Sequence, residues 1–322
     1  MKSIANGYAF LLRNHRKTLL VFTTNQFISN NKNLNPMKIF NLSRTVFALG
    51  FVMSVVIACS DDDPDPDPVP VSNDIQLKDN TTLGKILTDK DGKTLYFFSK
   101  DANGTSACSG NCEANWPVFA VTDLSKLKID GELTASDFAN ITRADGKPQT
   151  TYKGWPLYYF ANDAAAGEVK GENVGGIWFV AKTDYTVMLA NTQLVGNDGK
   201  SYKPDLTEGT GETQFFVDGM GRTLYAFARD SSGINNWTTN DPAKDGTWPI
   251  YEVSEVKGLP SNLDKTMFAT IDVFGKKQLT YKGWPLYYFG PDEMKRGMTK
   301  GVSVPRPGVW PIVNKDSPNA PK

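Results

Sequence analysis

The chain has 322 residues, with 35 Lys and Arg against 35 Asp and Glu, and its single histidine is His15. Residues 1–58 contain seven basic and no acidic side chains, so the remainder carries an excess of seven acidic ones. A remainder of this charge lacks the basic patches that phosphate binding requires, which argues against nucleic acid as a partner. With no histidine after residue 15, it also cannot build zinc, copper or haem sites on imidazole, and we expect no metal and no cofactor.

The segment before Cys59 is typical of a targeting sequence. Met37 is the expected start, because Lys38 and Arg44 form a basic region ahead of an apolar run over residues 45–57. This run is too short to span a bilayer and has the length of a signal-peptide core. It ends in the letters VIAC, which resemble a lipobox, so we expect cleavage before Cys59 and lipidation of Cys59. The alternative is an ordinary signal peptide followed by an incidental cysteine.

Residues 59–78 are predicted to form a disordered acidic tether behind the lipidated cysteine. The letters SDDDPDPDPVPVS combine prolines with mutually repelling carboxylates, which keeps such a segment extended and solvated. A serine and acidic cluster at this place resembles the export signal of surface lipoproteins in Bacteroidota-type bacteria. The resemblance implies a lipid-anchored protein of the outer membrane that faces the cell exterior. The alternative is a spacer on the periplasmic face.

The rest of the chain contains one long unit twice. TTYKGWPLYYF ends at Phe160 and LTYKGWPLYYF ends at Phe289, so Phe289 is the equivalent of Phe160, and other positions correspond at the same shift. We therefore divide the chain into a first repeat unit (residues 79–190), a second repeat unit (191–316) and a tail (317–322). Each unit carries the pattern Tyr-x-Phe-x-x-Asp twice, and we call this pattern the signature. The signature tyrosines are Tyr96, Tyr158, Tyr225 and Tyr287, and the signature aspartates are Asp101, Asp163, Asp230 and Asp292.

Turn residues between alternating apolar runs predict β-hairpins around each signature. Asp91-Gly92 separates strands expected at about residues 86–89 and 93–99. The same plan recurs at residues 219–221 and at Asp145-Gly146, with a second bend at Lys153-Gly154 or Gly154-Trp155. Further strands are expected at residues 176–181, 185–190 and 214–217. No segment shows helical periodicity, so the predicted class is all-β, as two units of paired hairpins or meanders with a sandwich-, barrel- or propeller-like arrangement left open.

The signature is expected to lie on a strand that is buried on both faces. Tyr96 and Phe98 point to one face, whereas Leu95 and Phe97 point to the other, and all four are apolar. The aspartate falls where the strand ends, where it can close an Asx turn. The alternative is that each tyrosine and aspartate form a ligand site for a sugar or a cation.

The two remaining cysteines, Cys108 and Cys112, are expected to form a disulfide, because an exported domain meets an oxidising compartment. The alternative is a metal-binding or redox pair. The second repeat unit lacks both cysteines, so no activity that depends on them belongs to both units.

Four Trp-Pro steps are candidate aromatic corners. They begin at Trp116, Trp155, Trp248 and Trp284. If the rings are packed inside, these steps are core corners at which the proline ends a strand. Exposed, they form a platform for sugars or for proline-rich or aromatic partners.

These motifs together resemble a known family. TLYFFSKD, CSGNC followed by NWP, DGKPQTTYKGWPLYYFAND and GGIWFVA are similar to the secreted or lipoprotein repeats named for their Tyr-x4-Asp motif. The second repeat unit, with QLTYKGWPLYYF and GVSVPRPGVWP, resembles the two-unit form found in Bacteroidota lipoproteins. The resemblance covers residues 80–314, and it implies no activity, since none is established for the family.

We therefore predict a cell-surface lipoprotein that acts as a non-catalytic binding or structural repeat module and is not an enzyme. Its expected partners are the membrane, through the lipid anchor, and an extracellular protein or glycan. Two rival hypotheses are kept. One is a redox or electron-transfer accessory protein of the envelope, and the other is a carbohydrate-binding or carbohydrate-active protein.

Overall fold

The computed structural model describes residues 74–322, and these residues form short antiparallel strands, as the all-β prediction requires. The leader, Cys59 and most of the predicted tether lie outside the described residues. The strands are β1 (Ile75–Asn80), β2 (Gly84–Asp89), β3 (Tyr96–Phe98), β4 (Phe138–Thr142), β5 (Pro148–Tyr152), β6 (Trp155–Pro156), β7 (Trp178–Val180), β8 (Met188–Val195), β9 (Ser201–Tyr202), β10 (Glu212–Val217), β11 (Phe268–Val273), β12 (Lys276–Tyr281) and β13 (Trp284–Pro285). Short helices accompany the strands, namely α1 (Asn111–Asn115) and α2 (Pro242–Asp245).

The strands pair in small antiparallel sheets. β1 pairs with β2, and β3 pairs with β7. The three-stranded sheets have the orders β4-β5-β6, β10-β8-β9 and β11-β12-β13. Strand β8 runs through the predicted boundary between residues 190 and 191, and it pairs with β10 of the second repeat unit.

The predicted hairpin turn at Asp91-Gly92 forms as expected. The backbone N–H of Asp89 donates to the carbonyl of Lys93 at 2.9 Å, and Gly92 takes a positive φ of 79°. At the bend between β5 and β6, Lys153 and Gly154 have φ values of 49° and 77°. Two successive left-handed residues match the right-handed twist of the flanking strands, which is why so short a bend can join them.

The predicted strands differ from the structure in their bounds. Those expected at about residues 86–89, 93–99 and 214–217 are Gly84–Asp89, Tyr96–Phe98 and Glu212–Val217, and two others differ as follows. The strand expected at residues 176–181 covers only Trp178–Val180, because Val174–Gly176 form a 3-10 turn in which Gly175 and Gly176 take positive φ. The strand expected at residues 185–190 begins at Met188 and continues to Val195. Both differences come from local glycine conformations and strand pairing that alternation alone does not specify.

The two signatures of the first repeat unit lie antiparallel beside each other. The N–H of Tyr96 donates to the carbonyl of Tyr158 at 2.8 Å, and the N–H of Tyr158 donates back to Tyr96 at 3.1 Å. Val118 bridges to the outer side of Tyr158, and Val180 pairs with the outer side of Tyr96. The first repeat unit is therefore organised around two signatures related by an approximate twofold rotation.

The second repeat unit repeats this arrangement. Tyr225 and Tyr287 exchange two backbone hydrogen bonds, each of 2.9 Å. Ile250 bridges to Tyr287, and Ile312 bridges to Tyr225, in the places of Val118 and Val180. The internal repeats of the sequence thus correspond to repeated strand pairing.

Both faces of the signature strand are buried. Leu95 and Phe97 belong to the large core that the two repeat units share, whereas Tyr96 and Phe98 belong to a second cluster of buried side chains within the first unit. Opposite faces of one strand therefore contribute to different clusters, because successive side chains along a strand point to opposite faces.

Arg296 joins the two repeat units. From the second unit it donates hydrogen bonds to the carbonyls of Ala102 and Lys153, both at 2.8 Å. Its guanidinium lies over the ring of Trp155, 4.7 Å from the ring centroid. Gly154 leaves room for this side chain, because a Cβ at that position would lie 1.9 Å from a guanidinium nitrogen.

Candidate functional site

The signature tyrosines and aspartates of the first repeat unit are bonded crosswise. The hydroxyl of Tyr96 donates to Asp163 at 2.6 Å, and the hydroxyl of Tyr158 donates to Asp101 at 2.6 Å. Each tyrosine therefore binds the aspartate of the other signature, which is distant in sequence. The antiparallel pairing of the two strands explains this exchange, because it places the start of one signature beside the end of the other.

The second repeat unit contains the same crossed pairs. Tyr225 donates to Asp292 and Tyr287 donates to Asp230, both at 2.7 Å. All four tyrosines are fully buried, and the four aspartates are at most 6% exposed. The structure thus brings the eight signature residues together as two pairs of hydrogen bonds, one pair in each unit.

The other carboxylate oxygen of each signature aspartate accepts a backbone N–H. The donor is not the residue two positions on, as an Asx turn would require, but lies in the loop further along the chain. The donors are Ala107 for Asp101, Lys170 for Asp163, Asn236 for Asp230 and Lys300 for Asp292, at 2.7 to 3.0 Å. The aspartate therefore fixes a longer loop than the predicted turn, because its carboxylate lies in the core and the loop folds back over it.

Burial governs the electrostatics of these pairs. It raises the pKa of Asp101 to about 7 and that of Asp230 and Asp292 to about 6, and it also raises the pKa of Asp163. In each case hydrogen bonds from the tyrosine and from a backbone amide act in the opposite direction. The pKa of Tyr96 is likewise raised by burial and by its bond to Asp163. The tyrosines are therefore neutral donors at physiological pH.

An aromatic stack covers the signature tyrosines of the first repeat unit. The rings lie in the order Phe98, Trp178, Trp116 and Phe160, with successive centroids 3.9, 3.8 and 4.3 Å apart. Tyr158 meets Trp178 edge to face at 5.1 Å. The edge-to-face contact is favourable for aromatic quadrupoles, and the rings fill the space beside the hydroxyl–carboxylate bonds.

The second repeat unit has an equivalent stack. Its order is Phe227, Trp310, Trp248 and Phe289, with successive centroids 4.4, 3.8 and 4.3 Å apart. Tyr287 meets Trp310 edge to face at 5.2 Å. Both Trp116 and Trp248, which were predicted as corners, are therefore central members of a stack.

The other two predicted corners lie elsewhere. Trp155 is fully buried, and its indole N–H donates to the carbonyl of Gly219 in the second repeat unit at 2.9 Å. Trp284 is half-buried and donates to the carbonyl of Pro318 in the tail at 2.9 Å. Equivalent positions of the two units thus hold different neighbours, one at the contact between units and one against the tail.

A third tyrosine–aspartate bond in each unit was missed from the sequence. Tyr159 donates to Asp89 at 2.9 Å, and Tyr288 donates to Asp218 at 2.7 Å. Both members recur at equivalent positions of the two units, so the repeat itself contains the signal. In the second unit Arg222 forms an ion pair with Asp218 and lies over the ring of Tyr288.

The cysteine region differs between the two units. Cys108 and Cys112 have Cα atoms 5.3 Å apart at the start of α1, a separation that a disulfide bridges. Trp237 is the equivalent of Cys108 in the second unit, and it packs edge to face on Trp310 at 5.1 Å. In the second unit an aromatic contact therefore occupies this place.

The described residues contain no group of three or more His, Cys, Asp or Glu side chains that could hold a metal ion. Residues 74–322 also contain no helix with the length and apolar character of a membrane span. The predicted lipidation site, Cys59, lies outside the described residues.

The surface beside the β4–β5 hairpin of the first repeat unit differs from that beside the β11–β12 hairpin of the second. In the second repeat unit a cleft of about 320 Å³ lies between α2 and the hairpin of β11 and β12, and Pro242, Ile250 and Phe274 contribute to its lining. In the corresponding region of the first repeat unit, the side chain of Arg143 is only 4% exposed and is ion-paired with Glu113 at 2.9 Å. The two units therefore differ at this surface.

Comparison with known families agrees with the repeats. The profile of a family described as a secreted repeat of unknown function matches residues 79–120, 139–182 and 271–314. The segment that carries the third signature, around Tyr225, is not among the matches. Neither the curated proteins nor the solved structures contain a match to the chain.

Proposed function

Because the chain belongs, through three matching repeats, to the family of secreted repeats of unknown function, we propose that it is a non-catalytic module displayed on the cell surface, which binds an extracellular protein or glycan. One observation carries the proposal. The polar groups of the side chains that define the repeat are all hydrogen-bonded inside the fold. Each signature tyrosine is bonded to an aspartate, and each aspartate also accepts a backbone N–H. The repeated geometry thus builds a scaffold, and its exposed surface is left for recognition.

The same observation supports the proposal that the protein is not an enzyme. A general acid or base must reach a substrate, whereas the four signature aspartates are at most 6% exposed and accept hydrogen bonds from buried tyrosines. The chain from residue 16 onward has no histidine, so the most common catalytic base is missing. We propose no cofactor, and the acidic balance after residue 58 argues against nucleic acid as a partner.

Location is the second part of the proposal. Description of the family as a secreted repeat agrees with export of the domain. We propose that Cys59 is the lipidated N-terminus, that the acidic segment after it is a tether, and that the repeats face the exterior of the outer membrane. The membrane is then a partner through the lipid anchor alone.

Protease treatment of intact cells tests this location. We expect added protease to remove the repeats from cells that express the wild-type chain, and mass spectrometry of the membrane fraction to find lipid on Cys59. The matched control is Cys59→Ser, which has no lipid anchor and should be found in the medium or the periplasm instead of on the outer membrane. Complete protection of the wild-type domain in intact cells, with digestion after lysis, would contradict surface display.

A further inference from the structure

The cleft of the second repeat unit contains a residue that the fold does not require. Phe274 occupies the two-residue turn between β11 and β12, with a φ of 52°, and Gly275 follows with a φ of 82°. Turns with two left-handed residues favour Asn, Asp or Gly at the first position, because a bulky side chain there crowds its own backbone. Phe274 is also 60% exposed, so packing does not offset the unfavourable conformation.

The first repeat unit shows what the turn looks like without this residue. Asp145 is the equivalent of Phe274, and its hairpin, Phe138–Tyr152, is one residue longer than the hairpin Phe268–Tyr281. That longer hairpin also carries Arg143, which pairs with Glu113 and donates to the carbonyl of Cys108 at 3.3 Å. Residues 268–281 contain no arginine, so this ion pair is absent and the cleft beside Phe274 stays open.

The chemistry of the cleft favours a ligand with an apolar face and many hydroxyl groups. Pro249 and Ile250 continue the apolar surface beside Phe274. Around them lie oxygen acceptors, including the carboxylates of Asp245 and Glu252. A sugar ring matches both features, since its C–H face packs on an aromatic ring with a negative face and its hydroxyls donate to carboxylates. The lining holds two carboxylates and a single lysine, a balance that would repel an anionic glycan.

We propose that this cleft binds a pyranose unit of a neutral polysaccharide, with Phe274 as the stacking platform. The inference rests on the proposed binding role and adds the site and the class of ligand. It also explains why the unfavourable turn is present in one unit only. Residues held in unfavourable backbone conformations cluster at ligand-binding and active sites.

Affinity electrophoresis tests the proposal with four soluble neutral polysaccharides in the gel: a β-glucan, an α-glucan, a galactomannan and a xylan. The variant Phe274→Asp installs the residue of the first repeat unit. The matched control, Met220→Asp, makes the same kind of change at an exposed residue outside the cleft, where the first unit has Asp91. A carboxymethylated polysaccharide serves as an anionic probe.

We expect at least one neutral polysaccharide to retard the wild-type domain, with binding at least tenfold weaker in Phe274→Asp and unchanged in Met220→Asp. Phe274→Asp should melt no lower than wild type, because aspartate tolerates the left-handed turn. Three results would each overturn the site: no retardation by any neutral polysaccharide, equal retardation of Phe274→Asp, or a melting temperature for that variant well below wild type. Surface display is tested separately by the protease experiment, so failure here leaves it standing.

Discussion

The crossed pairing of the signatures makes a specific energetic prediction. Tyr96 and Asp163 belong to different signatures, yet their side chains share a buried hydrogen bond of 2.6 Å, whereas Tyr96 and Asp101 of one signature share none. Changing Tyr96 to Phe keeps the ring and removes the hydroxyl. The variant therefore loses stability because a carboxylate oxygen is left without its partner. For a buried group this loss is about 1 to 3 kcal/mol.

A double-mutant cycle separates the two possible partners. We expect Tyr96→Phe and Asp163→Asn to be coupled by about 1 to 3 kcal/mol, because the bond has a charged acceptor and lies in the core. The same cycle with Asp101→Asn should give a coupling below about 0.5 kcal/mol. Free energies of unfolding would be measured by urea titration at pH 8, where the carboxylates are ionised.

The second repeat unit supplies the matched control. Tyr225→Phe with Asp292→Asn should reproduce the coupling, because the geometry is the same at 2.7 Å. A variant pair taken from different units, Tyr96→Phe with Asp292→Asn, should be additive. Stronger coupling within a signature than between signatures would refute the crossed arrangement.

Three further predictions concern pH, the contact between units and the cysteines. Burial raises the pKa of three signature aspartates to about 6 or 7, so the folded state binds more protons than the unfolded state between about pH 4 and 7. Urea titrations should therefore show the free energy of unfolding rising as the pH falls from 8 to 5. A decrease over that range would contradict this prediction. Gly154→Ala should lower the free energy of unfolding by about 1 to 3 kcal/mol more than the control Gly146→Ala, because Gly154 lies against Arg296 whereas Gly146, with a similar φ of 80°, has open space. Equal losses would show that the contact is unimportant. Replacing Cys108 and Cys112 by serine should lower stability by about 2 kcal/mol or less, as expected for a short loop, and failure of this variant to fold would show a larger role.

The sequence predicted local features well because they depend on neighbouring residues. Asp-Gly pairs specify hairpin turns, and the continuous apolar run of residues 95–98 specifies a strand buried on both faces. The strand predicted at residues 176–181 is shorter in the structure, because the pattern of apolar residues does not specify that Gly175 and Gly176 adopt left-handed conformations.

Which aspartate each tyrosine binds could not be predicted in this way. Tyr96 and Asp101 lie in one short motif, and proximity in sequence suggests that they act together, but the structure pairs Tyr96 with Asp163. The partner depends on the direction in which two distant strands pair, and local patterns contain no information on that direction. The cleft beside Phe274 was missed for a related reason, because it arises from a small difference in length between two hairpins.

The most direct test of the structural role of the signatures is the ionisation of their tyrosines. Burial and the bonds to aspartates raise the pKa of all four signature tyrosines above the ordinary value of 10. NMR of the domain labelled with ¹³C at tyrosine Cζ, assigned with four Tyr→Phe variants, follows each hydroxyl through a pH titration. We predict that the four resonances do not titrate up to pH 11 while the domain remains folded. Titration of these resonances with midpoints near pH 10 in the folded domain would mean that the hydroxyls are exposed, and it would contradict the account.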